Sequence, residues 1–161
     1  MPVVSGSLLV EAPIDVAFRV THDVLAWPSS NPLVKSVEVL EREGSKVVFR
    51  MTHKDGRAWN TALFAIPELN ISFAERLEPQ SPLECMQYVR HYRAVAPTCT
   101  EITEEVRFEL VPASGLDEAE VISRIQAHMA EVQPHLKDQV EASARSLRPE
   151  KKEVSHVQVH R

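Results

Sequence analysis

The chain has 161 residues, 43% hydrophobic and 25% charged, enough for one domain with its own core. A formal net charge of −5 without a basic stripe argues against nucleic acid as a partner, and no run of about 18 apolar residues offers a membrane span. The first residues, Met1-Pro2-Val3-Val4-Ser5, lack the basic and apolar regions of a signal peptide, and Cys85 and Cys99 lack CxxC spacing, so a reduced, cytoplasmic protein with ordinary thiols is expected.

Residues 4–10 read as a first strand. Ala12-Pro13 opens a helix, since proline suits a first helical turn, and Val16, Val20 and Val24 recur at helical spacing with Phe18 beside them. Pro28 is expected to stop that helix, and Ser29-Ser30-Asn31-Pro32 reads as a loop or a second short helical turn. From residue 36 the apolar period becomes two. Val37 and Val39 mark one strand, Glu43-Gly44 a turn, and Val47, Phe49 and Met51 the next strand. Asp55-Gly56 is a hairpin signal in which both central residues are expected at positive φ. Strands follow at 58–66, 71–77, 84–95 and 102–110, separated by Pro67-Glu68-Leu69-Asn70, Pro79-Gln80-Ser81-Pro82 and Ala96-Pro97-Thr98. Such short links imply an antiparallel meander.

Asp117 with Glu120 resembles a capping box that opens a long helix. Val121, Ile125, Met129, Val132, Leu136, Val140 and Leu147 mark its apolar face, and Pro134 is expected to kink it. The domain is taken as residues 1–148. The polar, basic segment 149–161 reads as a mobile tail, in which Val154, Val157 and Val159 could form a strand in some contexts.

One strand, two short helices, six strands and a long helix define an α+β, helix-grip (START/Bet v 1-like) fold. A curved antiparallel seven-stranded sheet wraps around the C-terminal helix and leaves a cavity. Over about residues 4–147 the chain resembles the START-like superfamily of polyketide cyclases and lipid-transfer proteins. Within it, the chain resembles the aromatase/cyclases of type II aromatic polyketide synthesis. That resemblance rests on His22-Asp23-Val24-Leu25-Ala26-Trp27-Pro28, on the segments 37–44 and 48–52, on Trp59, and on Met86 and Tyr92. It implies a cofactor-free enzyme that folds, aldol-cyclises and dehydrates a carrier-bound poly-β-ketone or a partly cyclised intermediate. Acyl carrier protein and polyketide synthase components are the implied partners, and a hydrophobic or aromatic small molecule the ligand. The family's usual serine and arginine fall at Leu63 and Ala65, and its usual tyrosine at Val34. Those losses shift weight toward a later cyclisation or another chain length. They also favour a rival reading, a non-catalytic carrier of a lipid, quinone or polyketide; a third is a subunit that shields a reactive intermediate.

The strand at 84–95 carries Met86, Tyr88, Arg90, Tyr92 and Ala94 on its bulkier face, which is therefore placed inside. Arg90 there can hold a ketone oxygen or enolate; the alternatives are reversed faces or pairing with a carboxylate at the rim. Glu104 shares an inward register with Ile102, Val106, Phe108 and Leu110, and reads as Arg90's partner or as a general base. Tyr88 and Tyr92 either donate a phenol proton or pack. His128 is a candidate proton shuttle, and His53 a candidate for the cavity rim. Trp27, Asn31, Phe49, Met51, Trp59, Thr61, Leu63, Met86, Phe108 and Met129 are the expected substrate-binding residues, with Trp59 able to stack on a flat ring. His22, His91, His135, His156 and His160 read as surface or tail residues, and no histidine pair has metal-ligand spacing. Nucleophile-elbow, P-loop and dinucleotide fingerprints are absent.

Overall fold

The computed structural model describes residues 1–80 and 82–147. The reading of the tail, and the boundary at 148, lie outside the described residues. Strand β1 (Val3–Val10) leads into helix α1 (Ile14–Thr21), a 3-10 turn (Val24–Ala26) and the short helix α2 (Trp27–Ser30). Strands β2 (Val34–Glu43), β3 (Lys46–His53), β4 (Ala58–Ile66), β5 (Ile71–Arg76), β6 (Leu83–Ala96) and β7 (Cys99–Leu110) follow, then helix α3 (Glu118–Leu147). The seven strands form one antiparallel sheet in the order β1-β7-β6-β5-β4-β3-β2. This is the seven-stranded helix-grip architecture expected from the sequence.

Three local expectations are corrected. The first helix ends at Thr21, because the Thr21 hydroxyl bonds back to the Ala17 carbonyl at 2.8 Å and the chain leaves helical geometry at Asp23. Pro28 therefore does not stop that helix; it sits in the first turn of α2, where its missing N–H costs nothing. At the Asp55-Gly56 hairpin only Gly56 has positive φ, at 92°. The Gly56 N–H donates to the His53 carbonyl (3.0 Å) and the His53 N–H to the Arg57 carbonyl (2.8 Å), a three-residue loop that needs one left-handed residue. At the start of α3 the Asp117 carboxylate accepts from the Ala119 N–H at 3.3 Å, but Glu120 pairs with Arg124 instead of closing a capping box.

The registers sort the inner face of the sheet into rows. Val47, Leu63, Ala74, Tyr88, Val106 and Val4 form one; Ala65, Ser72, Arg90, Glu104 and Gly6 form the next; Tyr92, Ile102 and Leu8 a third. Helix α3 lies across them. Its first half packs Val121, Ile125 and Met129 on Val4, Met86, Val106 and Phe108. Its second half packs Val140 and Ala144 with α1 residues Val16, Ala17, Phe18 and Val20 on Val10, Tyr92 and Ile102. Leu147, expected on this apolar face, is exposed. A third cluster joins Val24 to Phe49 and Leu63. These three dry clusters surround a space that none of them fills.

Candidate functional site

That space is a cavity of about 130 Å³, walled by β3–β7, α2 and the middle of α3. An apolar void of about this size holds one benzene ring. Of the residues expected to bind substrate, Trp27, Asn31, Phe49, Met51, Trp59, Thr61, Leu63 and Met129 line it. So do Tyr88, Arg90, Glu104 and His128 from the expected catalytic set.

Three of the expected residues do not line the cavity. Met86 and Phe108 point inward, yet the first half of α3 packs directly on them. Tyr92 also points inward but is covered by α1, with its ring 4.9 Å from Phe18 and its hydroxyl 2.7 Å from the Thr21 hydroxyl. Thr21 donates to a backbone carbonyl, so the Tyr92 phenol is the donor in that pair. Its proton is committed to the fold.

Arg90 and Glu104 face each other across β6 and β7, and the Arg90 Nε donates to the Glu104 Oε2 at 2.5 Å. Burial lowers the Arg90 pKa, but the adjacent Glu104 more than restores it, so the guanidinium is charged at every relevant pH. A guanidinium has five N–H donors, and this bond takes the one on Nε. Ser72 stands opposite Arg90 on β5 and is buried on the cavity wall. Ala65, at one of the family's usual polar places, stands opposite Ser72 on β4. A serine and an arginine therefore do share this row, one and two strands away from the family's usual strand.

His22, expected at the surface, lines the cavity instead. Its Nδ1 lies 2.6 Å from the Phe18 carbonyl. A carbonyl can only accept, so Nδ1 carries the proton and Nε2 is a bare acceptor. That Nε2 is buried and has no partner among the described residues. Burial, opposed by the Phe18 bond and reinforced by the Arg90 charge, lowers the His22 pKa to about 4, so the ring is neutral at pH 7. The sequence signal was its spacing: His22 falls four residues after the buried Phe18 and packs against it, tilted, with ring centroids 4.2 Å apart.

A second aromatic group closes the far wall. His53 packs on Trp59 at 4.6 Å and lies parallel to His128 at 6.3 Å. Burial lowers the His53 pKa to about 4 and moves that of His128 below its ordinary value. His128 lines the cavity as expected, and burial disfavours its charged form. Arg76, which the sequence reading missed, lies over the Trp59 ring with its Cζ 4.0 Å from the centroid. Trp59 therefore already has a stacking partner. Among the described residues no group of three or more His, Cys, Asp or Glu is gathered for a metal ion, and no helix is long and apolar enough to cross a membrane.

A curved sheet gripping a long helix around a small, mostly apolar cavity with a few inward polar groups defines a helix-grip ligand-cavity protein. Residues 10–131 match the family described as polyketide cyclase / dehydrase and lipid transport, and the chain belongs to that family. A candidate polyketide cyclase of Streptomyces cyaneus is 29% identical over 141 residues, covering 84% of this chain and 91% of the relative. A second candidate polyketide cyclase, of Streptomyces halstedii, is 43% identical over 58 residues; that match spans 34% of this chain and 53% of the relative. The crystal structure of the Zhui aromatase/cyclase from Streptomyces sp. R1128 superposes with a TM-score of 0.76 at 19% identity, covering 89% of this chain and 93% of the other. At that identity the superposition speaks for the fold, and the family match supports a polyketide cyclase.

Proposed function

We propose that this chain is a polyketide aromatase/cyclase that closes and dehydrates a ring by aldol chemistry, acting in the cytoplasm on a poly-β-ketone or a partly cyclised intermediate. One observation carries the reading: within an apolar cavity the size of one ring, the Arg90–Glu104 pair, Ser72 beside it and the bare His22 Nε2 bring polar groups together on one wall.

The reaction is redox-neutral. Glu104 takes a proton from the acidic methylene between two carbonyls, giving an enolate. The Nη donors of Arg90 that Glu104 and Tyr92 leave over hold the oxygen of the carbonyl under attack and stabilise its negative charge as the carbon–carbon bond forms. The alkoxide is then protonated. Loss of a second α-proton and of the hydroxyl group as water gives a cyclic enone, and enolisation of the remaining ring carbonyls leaves the aromatic ring. His22 Nε2 accepts from an enol hydroxyl and fixes which tautomer lies in the cavity. The dry wall of Trp27, Phe49, Leu63 and Met129 holds the chain folded near its reactive geometry. Acyl carrier protein and polyketide synthase components are the proposed partners where the substrate arrives as a thioester.

The test is reconstitution with a synthase and carrier protein. Adding the protein should shift products from spontaneous, mixed cyclisations to one ring pattern. An identical product profile with and without it overturns the enzyme reading. The predominantly apolar wall also suits a carrier of hydrophobic ligands. Arg90→Ala separates the two: a carrier keeps binding, whereas the enzyme loses product formation while its fold persists.

A further inference from the structure

Arg76 stands at the end of the inner face of β5. Ser72 and Ala74, four and two residues before it, line the cavity, and Thr61 opposite it on β4 does so too. Its guanidinium rests on Trp59 and lies close to the Tyr88 phenol, both of them cavity residues. Among the described residues its guanidinium is within reach of the Tyr88 phenol and, at 3.5 Å from Nη1, of the Gln80 side-chain oxygen, while its Nε is buried without an acceptor. Among the described residues no carboxylate lies within 4.0 Å of it, and the other described arginines without one, Arg19, Arg42, Arg50 and Arg145, are exposed where Arg76 is partly buried. An arginine does not discharge, even when buried. A partly buried guanidinium that makes neither a salt bridge nor its full set of hydrogen bonds is costly to keep.

The surrounding charges do not cancel it. Glu104 is matched to Arg90, the nearby rings of His22 and His53 are neutral at pH 7, and burial disfavours the charged form of His128. One positive charge without a carboxylate partner therefore lies against Trp59 and Tyr88, two residues of the cavity wall, beside room for about one ring.

We propose that the cavity takes an aromatic ligand bearing a free carboxylate, with the ring inside and the carboxylate held by Arg76. The inference refines the substrate class of the proposed cyclase site: the bound species is a released acid, with a carboxylate that a carrier-bound thioester lacks. A carboxylate satisfies the bare Nε and the Nη donors together by paired, charge-assisted hydrogen bonds.

Titration of the whole protein with salicylate, methyl salicylate and salicylamide, followed by tryptophan fluorescence and calorimetry, tests this. Salicylate should bind about tenfold or more tightly than either neutral analogue, the margin of a charge-assisted over a neutral hydrogen bond. Arg76→Gln should bring the three affinities together by weakening salicylate alone. Arg76→Lys should keep the preference for the acid at lower affinity, which covers the case in which Arg76→Gln fails to fold. Equal binding of acid and ester by the wild-type protein overturns the proposal, as does failure to bind any of the three, or an acid preference that survives Arg76→Gln. Turnover is not needed for this readout. A preference for the acid without cyclisation leaves the anion site standing and removes the cyclase; cyclisation without the preference does the reverse.

Discussion

At the residue scale, the inward polar groups divide into those already satisfied by the fold and those left open. Tyr92 belongs to the first kind. Tyr92→Phe should cost about 1 kcal/mol, the worth of one buried hydrogen bond, and lower product formation far less than Arg90→Ala does; chemical denaturation and the product assay check both halves. His22 belongs to the second kind. His22→Leu should keep the fold but broaden the product pattern, since the tautomer-selecting acceptor is gone. His22 and His53 titrate near 4 when folded, against 6.5 for an unperturbed ring. Between those values the unfolded chain binds more protons, so stability present above about pH 6.5 is lost as the pH falls toward 4. Melting temperature should fall over that window, and His22→Gln should make the fall shallower. A variant with an unaltered slope would mean that His22 is not the neutral, buried ring described above. Arg76 and Ser72 escaped the sequence reading for a physical reason. On β5 the outward residues Ile71 and Phe73 are the bulky ones, while the inward Ser72 and Ala74 that border the cavity are small and Arg76 beyond them is charged. Hydrophobic alternation points the wrong way where a strand faces a cavity in place of a packed core.

At the scale of elements, the strands and the long helix were legible because their periods are long and uninterrupted. The residues of β4 were read to the same ends that the structure shows, 58 and 66. The break after α1 was not legible, since Val24 continues the helical spacing of Val16 and Val20 while belonging to another cluster, against Phe49 and Leu63. The contact between β1 and α3 yields a prediction of its own. A Cβ built on Gly6 would lie 2.7 Å from the Met129 methyl and 3.2 Å from the Gln133 amide nitrogen. Met129 is flexible at that end and can swing away, so Gly6→Ala should cost no more than about 1 kcal/mol, the low end of overpacking. Both displaced side chains line the cavity, however. Ligand affinity should therefore drop several-fold while the melting temperature hardly moves. A large loss of stability would show instead that α3 cannot yield at this point.

At the scale of the whole molecule, the Arg90–Glu104 pair joins β6 to β7 in the same row as Gly6, midway between the dry clusters at either end of α3. Glu104→Gln leaves the Arg90 charge without its counterion and should cost about 1–3 kcal/mol along with product formation. Glu104→Gln combined with Arg90→Met should recover much of the stability and none of the activity. Recovery of both would reduce the pair to scaffolding. The fold class and this pair followed from sequence pattern, because strand parity alone brings residues 90 and 104 to one face. The enclosed volume did not follow, because it depends on how far α1, α2 and α3 stand off the sheet. That volume has a consequence for selectivity. A pocket that admits about one ring can inspect only the segment being closed, so whatever extends beyond the mouth is weighed lightly. Such a protein would tolerate substrates that differ far from the reacting carbons, yet discriminate sharply between a hydrogen and a methyl group on the ring itself.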